Sequence, residues 1–205
     1  MPLPQPYPDP TMPRRAVLVA DPMAARAALT EGAQALVLAD PLPPGLAEAL
    51  RTRRPGLGIY AALERPDDPA LDGFTASVLD GVILRDARSG RDVAALGARL
   101  AVREAEVDLA DGHLSILAAI AHPLGLLDLR SFAGASPRLA GLGLDEPALA
   151  AVLGAGEALA RARATIRLAA AAAGVVAFAI VAAGPGDRIE DAEAARWDGF
   201  GLVVA

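Results

Sequence analysis

The sequence predicts a compact (β/α)8 barrel, near the lower length limit of that fold. Short apolar runs alternate with amphipathic segments along the chain, the pattern of parallel βα units. About eight such runs occur, the number that a closed barrel requires. A length of 205 residues is enough for one sizeable core and little more than a minimal barrel. The same alternation fits an open doubly wound sheet, so periodicity by itself leaves both architectures open. The residues are 54% hydrophobic but only 3% aromatic. A core of mainly Ala, Val, Leu and Ile implies close helix–strand packing.

Each element has a local reason. The N-terminus, MPLPQPYPDPTMPRR, is proline-rich and lacks a basic-then-apolar signal pattern. It reads as an extended arm over residues 1–13, with residues 14–205 forming one barrel domain. Residues 16–20, AVLVA, form the first predicted strand, and Asp21-Pro22 caps a helix over 23–31. Residues 35–40, ALVLAD, repeat that design ahead of a helix over 45–53. After a strand at 58–63, the segment 71–79 is the weakest helix of the series, because Gly73 and Thr75 lower helix propensity. A strand at 81–86 precedes a helix at 91–106, and a strand at 114–121 precedes a helix at 124–133. A strand at 139–144 then leads into one long helix over 147–171. The series closes with strands at 175–182 and 201–205 around a helix at 189–198. Neither an exact repeat nor an internal linker suggests a second domain.

Composition restricts the chemistry. All 19 basic residues are arginine and there are no cysteines. A Schiff-base aldolase needs a lysine amine and a thiol enzyme needs a cysteine, so both covalent routes are closed. The lack of cysteine fits a reducing cytoplasm. A net charge of −6 and a pI near 4.9 oppose nucleic-acid binding. Arg51, Arg53 and Arg54 form the densest basic group and read as C-terminal helix-dipole partners rather than a phosphate track. The uncharged run 168–184 is divided by Gly174 and reads as a buried helix followed by a buried strand, with no membrane span expected.

On a barrel, functional groups sit just past the C-terminal ends of the strands. That rule selects Asp21, Asp40, Glu64, Arg85, Asp86, Ala121, His122, Asp145, Glu146 and Asp187. Capping outweighs catalysis for Asp21, and the two are balanced for Asp145. For Arg85 the plainer reading is a salt bridge to Asp86 or Asp40. For His122 it is an ordinary hydrogen-bonded role.

The stretch 136–174 carries a family resemblance. GLDEPALAAVLG from Gly143 resembles "G-x-x-D-L-a-x-x-L-G", and ARARATIRLAAAAAG from Ala160 resembles "A-R-x-x-i-v-l-A-A-r-A-A-G". Both patterns are those of the citrate lyase beta-subunit and HpcH/HpaI aldolase family. The opening RRAVLVADPMAARAALTEGAQALVLADP is similar to the family's first two βα units, with Gly32-Ala33 and Asp40 matching. The resemblance implies a (β/α)8 barrel. By analogy it implies a carbon–carbon lyase acting on a 3-hydroxy acid or its coenzyme A thioester, with an Mg2+ or another divalent ion as cofactor. It also implies a small carboxylate or acyl-CoA ligand, a homo-oligomer and a cytoplasmic location. Catalytic roles fall to Arg85, Asp40 and His122, and metal ligation to Glu146 and Asp145.

The departures lie where the family keeps its chemistry. LGIYAALERPDD lacks the family's substrate arginine in "R-x-N". In DGVILRDARS, Arg85, Asp86 and Arg88 occupy the family's proline, lysine and glutamate positions. Ala121 and His122 replace the metal-binding "E-T", and Glu146, with Asp145 beside it, falls on the metal-binding aspartate. Imidazole suits zinc or manganese better than magnesium, so His122 points to a changed metal. Ala179 stands where the family has aspartate, and the resemblance ends at Ala205, where family members continue into segments covering the barrel mouth. These differences raise two alternatives to an ordinary lyase. One is a catalytically silent barrel that binds a ligand or serves an intact homologue as partner subunit. The other is a shifted site built from Arg85, Asp86, Arg88 and His122.

Overall fold

Eight parallel strands pair in chain order and close on themselves. The computed structural model describes residues 15–181 and 200–205. The predicted arm over 1–13, the helix over 189–198 and Asp187 lie outside the described residues. The strands are β1 (Arg15–Val19), β2 (Ala35–Leu38), β3 (Gly58–Leu63), β4 (Gly81–Leu84), β5 (Ser115–Ile120), β6 (Leu139–Asp145), β7 (Val176–Ile180) and β8 (Leu202–Val204). Closure comes from β8 pairing with β1, Val204 opposite Ala16. The barrel is therefore the correct reading of the alternation, and the open sheet is not.

The helices follow the predicted order with three differences, the first that the helix expected over 124–133 is broken into a short α-helix and a 3-10 turn at Leu129–Phe132. Helices α1 (Pro22–Thr30), α2 (Leu46–Arg53) and α3 (Gly90–Glu106) fall where the pattern placed them. Between β3 and β4 no α-helix forms, only short 3-10 turns at Pro69–Gly73 and Ala76–Val78. The long helix expected over 147–171 is two helices, α5 (Glu146–Leu153) and α6 (Glu157–Ala173), preceded by the short α4 (Pro123–Leu127) after β5. Gly154 divides the pair with φ +77, a conformation that glycine adopts without steric cost. No helix among the described residues is long and apolar enough to cross a membrane. The run beginning at Leu168 is the end of α6 followed by β7: the strand is largely buried as predicted, but the helix end is not, with Leu168 72% exposed.

Two apolar layers hold the fold together. Inward-facing side chains, among them Tyr60, Ile83, Leu117 and Phe178, form one cluster. Outward-facing strand residues pack with the helices in the other. Because side chains alternate faces along a strand, every second residue belongs to the barrel interior. Gly141 and Gly143 on β6 leave room for Phe178: a Cβ on Gly143 would lie 2.6 Å from its ring and overlap its backbone carbonyl. Low in the interior, Tyr60 lies near Ser115 and Asp80. Burial, reinforced by the Asp80 carboxylate, pushes its phenol up to about 12 against the offset from Ser115. Asp80 is itself held by Arg51 at 2.7 Å.

The N-terminal end of the barrel contains a buried ion network. Glu104 on α3 is fully buried and accepts hydrogen bonds from the Leu114 N–H at 2.6 Å, the Gly112 N–H at 3.0 Å and Arg138 at 2.6 Å. Arg138 also pairs with Asp111. The network fastens the loops leading into β5 and β6, the end of this fold associated with stability.

Candidate functional site

The strand alternation determines which polar residues can meet in the barrel mouth. Ala62, Ile83, Ala119 and the Gly141/Gly143 pair face inward, so Glu64, Arg85, Ala121 and Asp145, each two residues further along, face the mouth. Asp40, Asp86, His122 and Glu146 have the opposite parity. The structure brings together Arg85, Glu64 and Asp145. Arg85 Nη1 donates to Glu64 Oε1 at 3.0 Å, and Arg85 Nη2 donates to Asp145 Oδ2 at 3.0 Å.

The two acids have different surroundings. The Asp145 side chain is 3% exposed, whereas that of Glu64 is 63% exposed. Asp145 also caps α5, its Oδ1 accepting the Ala148 N–H at 3.0 Å. Capping and site membership, balanced in the sequence, are thus performed by the two oxygens of one carboxylate. Burial pulls the Arg85 pKa down, but hydrogen bonding to Asp145 and the charges of Glu64 and Asp145 outweigh it, leaving it raised. Arg85 therefore remains a permanent cation, fixed from one side and loosely held from the other.

The other predicted residues are occupied elsewhere. Arg85 pairs with neither Asp40 nor Asp86; Asp86 instead holds Arg88 at 2.8 Å, away from the mouth. Asp40 is exposed just beyond β2. His122 caps α4, its Nδ1 accepting the Leu124 N–H at 3.1 Å. A nitrogen that accepts there cannot also be a metal ligand. Glu146 is buried against α6, where Arg163 Nε donates to its Oε1 at 2.9 Å and Nη2 to its Oε2. Asp21 caps α1 through the Met23 and Ala24 N–H groups, both at 2.8 Å. The position rule selects Glu64, but the sequence assigns it no role. Its shared inward register with Arg85 is the signal that would have joined them.

This donor set does not fit a divalent cation. Such ions take several oxygen ligands, largely from carboxylates. Ala121 contributes none, Glu146 is held by Arg163, and both Asp145 oxygens accept hydrogen bonds. Among the described residues, no group of three or more His, Cys, Asp or Glu could hold a metal. The Arg85 guanidinium stands between the two carboxylates as a built-in positive charge.

A (β/α)8 barrel with a polar cluster at the C-terminal ends of its strands belongs to a class that usually works from that face. Within the class, its fold is that of the HpcH/HpaI aldolase and citrate lyase proteins. A family member from Burkholderia cenocepacia J2315 superposes with a TM-score of 0.75 at 14% identity, covering 96% of this chain and 89% of that one. The HpcH/HpaI aldolase of Desulfitobacterium hafniense DCB-2 gives 0.73 at 11% identity, over 95% and 86% of the two chains. A Haloferax volcanii malate synthase in complex with magnesium and glyoxylate gives 0.71 at 19% identity, over 97% and 73%. Neither a protein-family model nor a curated protein sequence matches this chain.

Proposed function

We propose that this chain is a divergent member of the HpcH/HpaI aldolase and citrate lyase group whose mouth binds a small carboxylate without metal-dependent carbon–carbon cleavage. The observation that carries the reading is the position of Arg85 between a buried and an exposed acid. Asp145 orients the guanidinium, and Glu64 occupies the face that a ligand would take. An ion pair with so exposed a partner is worth about 0–1 kcal/mol, so an incoming carboxylate displaces Glu64 at little cost. Arginine then grips the ligand through two parallel N–H donors. The fold similarity to the glyoxylate-bound malate synthase supports a carboxylate as ligand. Ala62, Ala119 and Ala121, which share the inward register with Arg85, all have small side chains.

Calorimetry with glyoxylate, pyruvate and oxaloacetate tests this reading, each with and without magnesium. The expected result is binding that magnesium does not change. Arg85→Gln should weaken it at least about tenfold, the effect of one lost charge-assisted hydrogen bond. Glu64→Gln should strengthen it by removing the competing carboxylate. Magnesium-dependent cleavage of malyl- or citramalyl-coenzyme A, abolished by Asp145→Asn, would establish the lyase alternative instead. No binding of any of the three acids would favour a partner-subunit role.

A further inference from the structure

Most described arginines hold a carboxylate within 4.0 Å, as Arg15, Arg51, Arg99, Arg138 and Arg163 do. A groove on the outer wall of the barrel breaks this pattern. Arg26 of α1 converges there with Arg53 and Arg54 at the end of α2, around a space of about 240 Å3 bounded by Leu29, Leu50 and Thr30. Among the described residues, none of the three guanidinium groups has a hydrogen-bond or ion-pair partner and no acidic side chain lines the groove. Arg51, two residues before Arg53, pairs instead with Asp80.

The helix dipole accounts for part of this arrangement. Arg53 and Arg54 sit at the C-terminal end of α2, where a cation is favoured within the last turn. Arg26 lies in the middle of α1 and gains nothing from that effect. Three like charges with no counter-charge repel one another. Their gathering is the more unusual in a chain of net charge −6, where acids are plentiful. An anion in the groove would resolve that repulsion.

We propose that the groove between α1 and α2 is an oxyanion site that takes a phosphate or pyrophosphate group, free or carried on a small ester. Phosphate oxygens match the guanidinium fork, and two or more negative charges are needed to engage three arginines together. A monocarboxylate satisfies one fork only. Leu29, half-buried at the rim, offers apolar contact to the remainder of an ester. The site lies at the C-terminal ends of its two helices, on the opposite end of the barrel from Arg85, and is independent of the mouth.

The test is calorimetry on the full chain at fixed ionic strength with inorganic pyrophosphate, ADP and acetate. Pyrophosphate or ADP should bind, and R26Q/R53Q/R54Q should weaken binding at least about tenfold. The charge-matched control R91Q/R130Q/R167Q removes three exposed arginines elsewhere that have no ion-pair partner among the described residues, and should leave binding unchanged. Should the groove triple variant fail to fold, Arg26→Gln alone should still give a several-fold loss. Tighter binding of ADP identifies an ester as the carrier; equal or tighter binding of pyrophosphate identifies the free anion. The proposal is overturned if neither binds, if acetate binds as well as pyrophosphate, or if the control variant loses as much affinity as the groove variant.

Discussion

Replacing Glu104 should unfasten the closed end of the barrel. Its carboxylate is fully buried and serves three donors, the Arg138 guanidinium and the N–H groups of Leu114 and Gly112. Breaking a buried ion pair from one side costs about 3–5 kcal/mol, because the other charge is left in a poorly solvating environment. Arg138 keeps Asp111, which is 90% exposed, so Glu104→Ala belongs near the lower limit, about 3 kcal/mol. With a urea m-value of roughly 3 kcal/mol per M for a chain of this size, the unfolding midpoint should fall by about 1 M with m unchanged. The double variant E104Q/R138M should lose less than the sum of its single variants, since neither charge is stranded.

The effect also has a pH signature. Burial alone would raise the Glu104 carboxyl, but Arg138 and the two N–H donors outweigh it and hold it below its ordinary value of 4.5. As pH falls, the unfolded chain takes up this proton first. The stabilisation is therefore complete above about 4.5 and is lost as pH falls through the lower folded value. The stability gap between wild type and Glu104→Gln should narrow below that pH. A loss under about 1 kcal/mol for Glu104→Ala, or strict additivity in the double variant, would refute the buried-network argument.

Two further outcomes test the barrel interior. Gly143→Ala should cost about 1–3 kcal/mol in urea unfolding, and more than Gly141→Ala. At Gly143 the new methyl meets the Phe178 backbone, whereas at Gly141 its nearest neighbour is the mobile end of Leu117 at 2.7 Å. Ultraviolet titration should show a phenolate forming near 12 that Tyr60→Phe removes. Because the fold retains that proton after the unfolded chain has released it, stability should decline between pH 10 and 12 and decline less in the variant.

Much of the architecture was legible because short apolar runs alternate with amphipathic segments along the chain, two of them ending at Asp-Pro, and all eight predicted strands form in the described residues. Asp21 before Pro22 declared a cap and is one. The break at Gly154–Gly156 had a signal in the two glycines, which disfavour helix, but the alanine-rich sequence on either side outweighed it. The mouth was harder to read, since charge pairing there depends on inward register rather than nearness in sequence. Counting in twos from Ile83 to Arg85 and from Gly143 to Asp145 would have found the pair, and would have separated Asp145 from Glu146. Glu104 left a usable signal too. It continues the buried face of α3 after Val93, Leu96 and Leu100, a helical spacing at which an acid must have a partner.

The buried network at Arg138 and the polar cluster at Asp145 stand at opposite ends of the same strand, roughly 20 Å apart at about 3.3 Å per residue. Free-energy changes at sites so far apart add without interaction. Residues of the rim can therefore be exchanged one after another while the fold's margin of stability is set elsewhere. Substitutions around Arg85 and Glu64 thus leave the stability supplied by Glu104 and Arg138 in place, and the mouth can vary without cost to the closed end of the barrel.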